Sequence, residues 1–215
     1  MRVELDRRRL ADRYGVAVGY TAGLGLATAV LHAQPEPVRQ RWVDWASTNI
    51  ANAPDHPVGA LVVSALLTEG DVRWWLLLSL VGLGTVGATF GAWRTAVLIG
   101  AAHVLGTVIS EGILWYRVAA GALPGSYRHI LDVGPSYVVA AALVAGVGYA
   151  RVPGRIACAL GFAAVAPSLF GGLTRLEVSA VGHVSAIAVA LGLGGWFALA
   201  GRRRRAAEPR PASGT

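Results

Sequence analysis

An all-α integral membrane fold of six transmembrane helices, with both termini on the cytoplasmic side, is what this sequence predicts, and three observations predict it. Of its 215 residues, 54% are hydrophobic and only 14% are charged, where a soluble domain carries about 25% charged residues. The apolar residues gather in runs near the roughly 20 needed to cross ~30 Å of hydrocarbon at 1.5 Å per residue. The arginines, finally, fall between those runs in a pattern that orients them.

The first run, 14–31, follows Arg7, Arg8 and Arg9. Those residues look like the charged start of a signal peptide, but the apolar core is long and no small-residue cleavage site follows, so the segment reads as a membrane anchor. The loop 32–73 holds a shorter apolar stretch, Val58 to Thr68, between Pro57 and the acidic Glu69-Gly70-Asp71. It is too short to span and is expected to lie in the interface. Spans 74–92 and 95–115 nearly touch, divided at Arg94. After the break from Trp115 to Asp132 comes span 133–150, with Asp132 as its N-cap and Pro135 accepted in a first turn that needs no N–H there. Span 156–173 follows Arg151-Val-Pro-Gly-Arg155, and span 179–200 follows Thr174 to Val178. The organisation is thus a basic cytoplasmic N-terminus (1–13), a membrane domain (14–200) and a basic tail (201–215), whose charge, Pro and Ala content predict disorder.

With both termini inside, 13 of the 19 basic residues are cytoplasmic, among them Arg94, Arg151, Arg155 and Arg202 to Arg205. Arg enrichment beside span ends on one side is the signature of the cytoplasmic face, and it agrees with an even number of spans. The net charge of +7 is therefore juxtamembrane, and the expected partner of the Arg-rich termini is anionic lipid, with no nucleic acid. Every basic residue is Arg in an Ala-, Gly- and Val-rich chain, a composition that points to a high-GC genome and a multi-pass protein of a bacterial plasma membrane. Cys158 is the single cysteine, so no internal disulfide forms, and its apolar span makes it a packing residue. No cofactor or metal is expected.

Chemistry concentrates at two short motifs. Gly134-Pro135-Ser136 opens the fourth span and Gly182-His183 lies just inside the sixth, both entered from the outer face. Ser136 is four residues past Asp132 and His183 six past Glu177, about 6 and 9 Å of helical rise, so the pair shares a depth. Taken alone, a first-turn serine is a cap or packing residue. An ionisable side chain in a span is costly and faces a partner or a water-filled cavity, a suspicion that extends to His103, read as bonded across helices, and to Glu111. Small residues recur every four positions in span six (Gly182, Ala186, Ala190, Gly194) and span four (Ala142, Gly146, Ala150), which would let those two helices approach closely.

These residues resemble the rhomboid intramembrane serine proteases: six helices with both ends inside, Gly-x-Ser at the outer end of the fourth and Ala/Gly-His followed by small residues in the sixth. The stretch Val62 to Ile113, with Ser64 to Gly70 and Gly91-Ala-Trp-Arg94, is similar to the family's first loop through third helix. The resemblance implies Ser136 as nucleophile and His183 as its base, with Gly134 and Pro135 as motif neighbours at the oxyanion. It also implies a substrate class, the transmembrane segments of other membrane proteins. The chain departs from the family pattern in three places. Trp74 and Leu78 stand where the second helix usually has the His and Asn that help stabilise the oxyanion, Tyr137 replaces the Gly after the nucleophile, and the first-loop Trp-Arg pair has no counterpart. Two functions follow: a Ser136/His183 protease, or a catalytically impaired pseudoprotease that binds transmembrane segments. A small transporter fits less well, because charged residues near mid-membrane are few.

Overall fold

The computed structural model of the protein describes residues 2–207, and those residues contain eight α-helices, two short 3-10 turns and no strand. In chain order the helices are α1 (Arg2–His32), α2 (Glu36–Ala46), α3 (Pro57–Ser64), α4 (Val72–Phe90), α5 (Ala92–Ala119), α6 (Ser136–Tyr149), α7 (Val152–Leu169) and α8 (Val178–Ala207). Helices α1, α4, α5, α7 and α8 are long and apolar enough to cross a membrane, and α6 is a shorter apolar helix.

Burial explains α6. Tyr137 to Leu143, Ala145 and Gly146 are all buried, and a helix apolar all round belongs inside a bundle. It packs on α4, α5, α7 and α8, while α1 packs on α4 and α5 on α8. Only Cys158 and Leu169 of α7 are buried. Leu77, Leu80, Ile156, Leu160, Trp196 and Leu199 are exposed on the outer surface, an apolar exterior that suits lipid as the surrounding solvent.

Several boundaries differ from expectation for local reasons. The α4–α5 break falls at Gly91, not Arg94: Gly91 has φ +85, a conformation open to glycine. Asp12 of α1 then accepts the freed Ala92 N–H at 3.2 Å. The Arg151-Val-Pro-Gly-Arg155 break shrinks to Ala150 and Arg151, because Pro153 sits in the first turn of α7, where its fixed φ favours the helix. The loop 32–73 contains a second helix, α2, beside the short one expected there, α3. At the C-terminus α8 runs on through Ala207, so the first part of the tail expected to be disordered is helical. The remainder, 208–215, lies outside the described residues.

The small-residue stripes do not pair with each other. On α8, a Cβ at Gly182 would meet the Tyr137 phenol and one at Gly194 the Tyr149 ring, both from α6, whereas Ala186 meets Gly106 of α5. The α6 stripe turns elsewhere: Ala142 lies against Gly82 of α4, and Gly146 lies against Cys158 of α7, whose Sγ would be 2.3 Å from an added Cβ. In lipid, such close packing replaces the hydrophobic drive of water. Gly146→Ala is expected to destabilise the folded protein by about 1–3 kcal/mol through overpacking. Cys158→Ala should recover most of that loss. Thermal unfolding of the two single variants and the double variant in detergent measures the coupling.

Candidate functional site

The site forms where the N-terminus of α6 meets α8. Pro135 is the N-cap of α6 and offers no side-chain cap, so the N–H groups of the first turn point out of the helix with its positive dipole end. Gly134 has φ +152, a value glycine alone adopts readily, and its N–H bonds to the Ser64 carbonyl at 3.0 Å. That bond fixes the turn that presents Ser136 at the first position of the helix. Ser136 is half-buried.

His183 lies five residues into α8, about 7.5 Å along its axis, and is 5% exposed. Its Nδ1 is 2.8 Å from the Leu169 carbonyl at the end of α7. A carbonyl only accepts, so that bond assigns the proton to Nδ1 and leaves Nε2 with a lone pair. Among the described residues Nε2 has no hydrogen-bond partner. The two predicted residues thus come to one corner of the bundle on contacting helices, but no hydrogen bond joins them.

Tyr137, the residue after Ser136, packs against the histidine. Its ring meets His183 edge to face, with centroids 4.9 Å apart, and lies 6.0 Å from the ring of His103. Its hydroxyl donates to Asp132 at 3.1 Å. Asp132 is therefore not the N-cap of α6. Its carboxylate accepts from Tyr137 and from Thr48 Oγ1 at 3.1 Å, while its N–H donates to Ser47 Oγ at 3.0 Å. Together with the Gly134–Ser64 bond, Asp132 fastens the loop 32–73 to the start of α6.

Burial pushes the Asp132 carboxyl above the ordinary carboxylate range, against the bonds from Tyr137 and Thr48, which lower it. A carboxyl raised on folding stabilises the fold below its unfolded value of about 3.9, and that contribution is lost as pH rises through the higher folded value. Asp132→Asn keeps an acceptor for both hydroxyls. It should flatten the decline of the thermal midpoint with rising pH across the acidic range.

His103 bonds across elements as expected, its Nε2 donating to the Leu61 carbonyl of α3 at 2.8 Å. His103, Thr107 and Glu111 repeat every four residues on one buried face of α5; among the described residues His103 Nδ1 and Thr107 Oγ1 have no hydrogen-bond partner, while Glu111 lies near the Ile50 backbone and Asp132. The two second-helix positions do not reach the site. Trp74 is 61% exposed, and Leu78 packs with Val139, Leu143 and Cys158. Among the described residues no three His, Cys, Asp or Glu side chains converge as a metal site.

Sequence reasoning missed the Tyr137–Asp132–Thr48 chain. Its only local signal is the five-residue spacing of Asp132 and Tyr137 around the serine motif, and the third member is 84 residues away.

Comparison with curated proteins and with solved structures gave no match. A family model described as rhomboid-like protein matches residues 16–205, from the first spanning helix to the last and including both motifs. The chain belongs to the rhomboid-like protein family.

Proposed function

We propose that this rhomboid-like membrane protein is an intramembrane serine endopeptidase in which Ser136 attacks and His183 is its base. One observation carries the reading: a histidine buried within the bundle, locked by Leu169 into the tautomer whose Nε2 lone pair is free, beside the helix that begins with Ser136. An unpartnered buried nitrogen is costly, and a base must keep that lone pair for its proton.

In this mechanism Nε2 takes the Ser136 proton as Oγ bonds to a substrate peptide carbonyl, a contact that tightens when substrate fills the site. The oxyanion meets the free N–H groups of the first turn of α6. Collapse breaks the C–N bond, the leaving nitrogen takes the proton from His183, and water then hydrolyses the acyl-enzyme through the same base. The substrates are transmembrane segments of other membrane proteins.

A second reading, a pseudoprotease that binds such segments without cutting them, is favoured by the exposed Trp74 and the apolar packing of Leu78. Absence of one oxyanion donor costs on the order of 10²–10³ in rate. Labelling of the folded protein by a serine-reactive fluorophosphonate separates the two. The protease labels, with labelling lost in Ser136→Ala and His183→Ala, whereas the binder does not label.

The proposal includes six crossings of a bacterial plasma membrane by the domain 14–200. The crossing by α6 lies within the bundle, where its ~21 Å length is completed by neighbouring helices. Both termini lie in the cytoplasm, with their arginines at anionic headgroups. A phosphatase reporter active only outside the cytoplasm should stay inactive when fused after residue 215 and become active when inserted in the loop after Ala119. The reverse pattern would refute this orientation.

A further inference from the structure

At the opposite end of α1 from Arg7 to Arg9, a groove of about 730 Å³ opens between α1, α2 and α3, within the ~300–1,000 Å³ of small-ligand sites. Ala27 and Val30 of α1 form one wall and Val63 with Leu67 another, while α2 supplies Val38, Arg41, Trp42 and Trp45. Those four α2 residues have the spacing of a single helix face, so an arginine sits on the stripe that lines an apolar groove. Beneath it Leu31, Val43, Ala46 and Leu67 form a buried apolar cluster.

The charges are unequal in their circumstances. Arg39, two residues away, is paired with Glu36. Arg41 is exposed and has neither an ion pair nor a hydrogen bond among the described residues. The wall beside it is held firmly: Trp45 stacks on His56 with ring centroids 4.8 Å apart and planes within 2°. His56 Nε2 donates to the Trp45 carbonyl at 2.8 Å, and Gly59 leaves room for the indole, since a Cβ there would come within 3.1 Å.

An apolar slot in a membrane protein, rimmed by two indoles and one unpaired guanidinium, matches one occupant: an anionic phospholipid. The acyl chain lies against Val30 and Val63, and the phosphodiester meets Arg41. Tryptophans at the rim favour the headgroup level, and a guanidinium matches phosphate oxygens in a bidentate geometry. We propose that the groove between α1, α2 and α3 is a binding site for an anionic phospholipid, with Arg41 as its headgroup ligand. The site is separate from the Ser136/His183 corner and from the Arg-rich termini, and stands whether or not the protein cleaves substrates.

The test uses the full chain in phosphatidylcholine nanodiscs doped with brominated phosphatidylglycerol or brominated phosphatidylcholine. Quenching of Trp42 and Trp45 is read as the difference from a Trp42→Phe/Trp45→Phe variant. Half-maximal quenching is expected at a roughly fivefold lower fraction of the brominated anionic lipid, the size expected for one guanidinium at a charged lipid surface. Arg41→Gln should erase that preference, and Arg39→Gln should keep it. Equal quenching by the two lipids in the wild type overturns the proposal, as does a preference that survives Arg41→Gln. Reversal by free glycerol phosphate would mean a site for the headgroup alone and also overturns it. Quenching found only in discs holding one copy would mean that a second copy covers the groove, with the same consequence.

Discussion

His183→Ala is expected to slow acylation of Ser136 by about 10²–10⁴, the range a positioned general base contributes, while the folded protein survives. The survival follows from what the ring does structurally. Its one hydrogen bond among the described residues ends on the Leu169 carbonyl, a helix C-terminal acceptor that a neighbouring N–H or water can serve. Its edge-to-face contact with Tyr137 is of a kind worth about 0.5–1.5 kcal/mol. The thermal midpoint should therefore fall modestly where the reaction rate falls by orders of magnitude. A structural role alone would link the two losses. Ser136→Ala should remove acylation altogether with almost no change in stability, since the Ser136 side chain makes no hydrogen bond among the described residues and is half-buried.

Gly182→Ala is the second large effect, and it should strike stability and activity together. An added Cβ would lie 2.1 Å from the Tyr137 hydroxyl oxygen and 2.2 Å from Cζ, so the ring must move. Tyr137 has little room to do so, because its hydroxyl is tied to Asp132 and its ring rests on His183. Overpacking of this kind costs about 1–3 kcal/mol, and the displaced ring would carry the imidazole away from Ser136. Gly192→Ala on the same helix supplies the contrast. Nothing lies within 4 Å of its Cβ, and a helical Gly→Ala change there should be neutral or stabilising by up to about 1 kcal/mol. Combining Gly182→Ala with Tyr137→Val should cost less stability than the sum of the two single changes. Tyr137→Phe, which keeps the clashing ring carbons, should give no such relief.

The helices were legible because lipid imposes a length and a composition on whatever crosses it. The limits of α1, α4, α5 and α8 fall within a few residues of the apolar runs, apart from helical extensions at the two basic ends and beyond Trp115. Where packing or backbone conformation set the outcome, periodicity misled. The break before α5 moved from the charge at Arg94 to the positive φ of Gly91. The small residues of α6 and α8 are real contact surfaces, but a four-residue repeat does not say which neighbour it faces, and Gly146 turned to α7. Ser136 and His183 stood out in the sequence as short motifs of residue types able to act as nucleophile and base, and they lie on two helices, α6 and α8, that touch. Asp132 was assigned the commonest local role of an aspartate before a helix, a cap. Its actual partners, Thr48 and Tyr137, depend on how the loop 32–73 folds back over the bundle, which no local pattern encodes.

Reaction of the purified, folded protein with a fluorophosphonate, followed by mass mapping of the adduct, tests the central claim most directly. The account predicts a single phosphonylated residue, Ser136, in the wild type, and loss of that adduct in His183→Ala at matched protein concentration. A folded wild-type protein that remains unmodified at Ser136, or a His183→Ala variant that is phosphonylated at Ser136 as fast as the wild type, would contradict it.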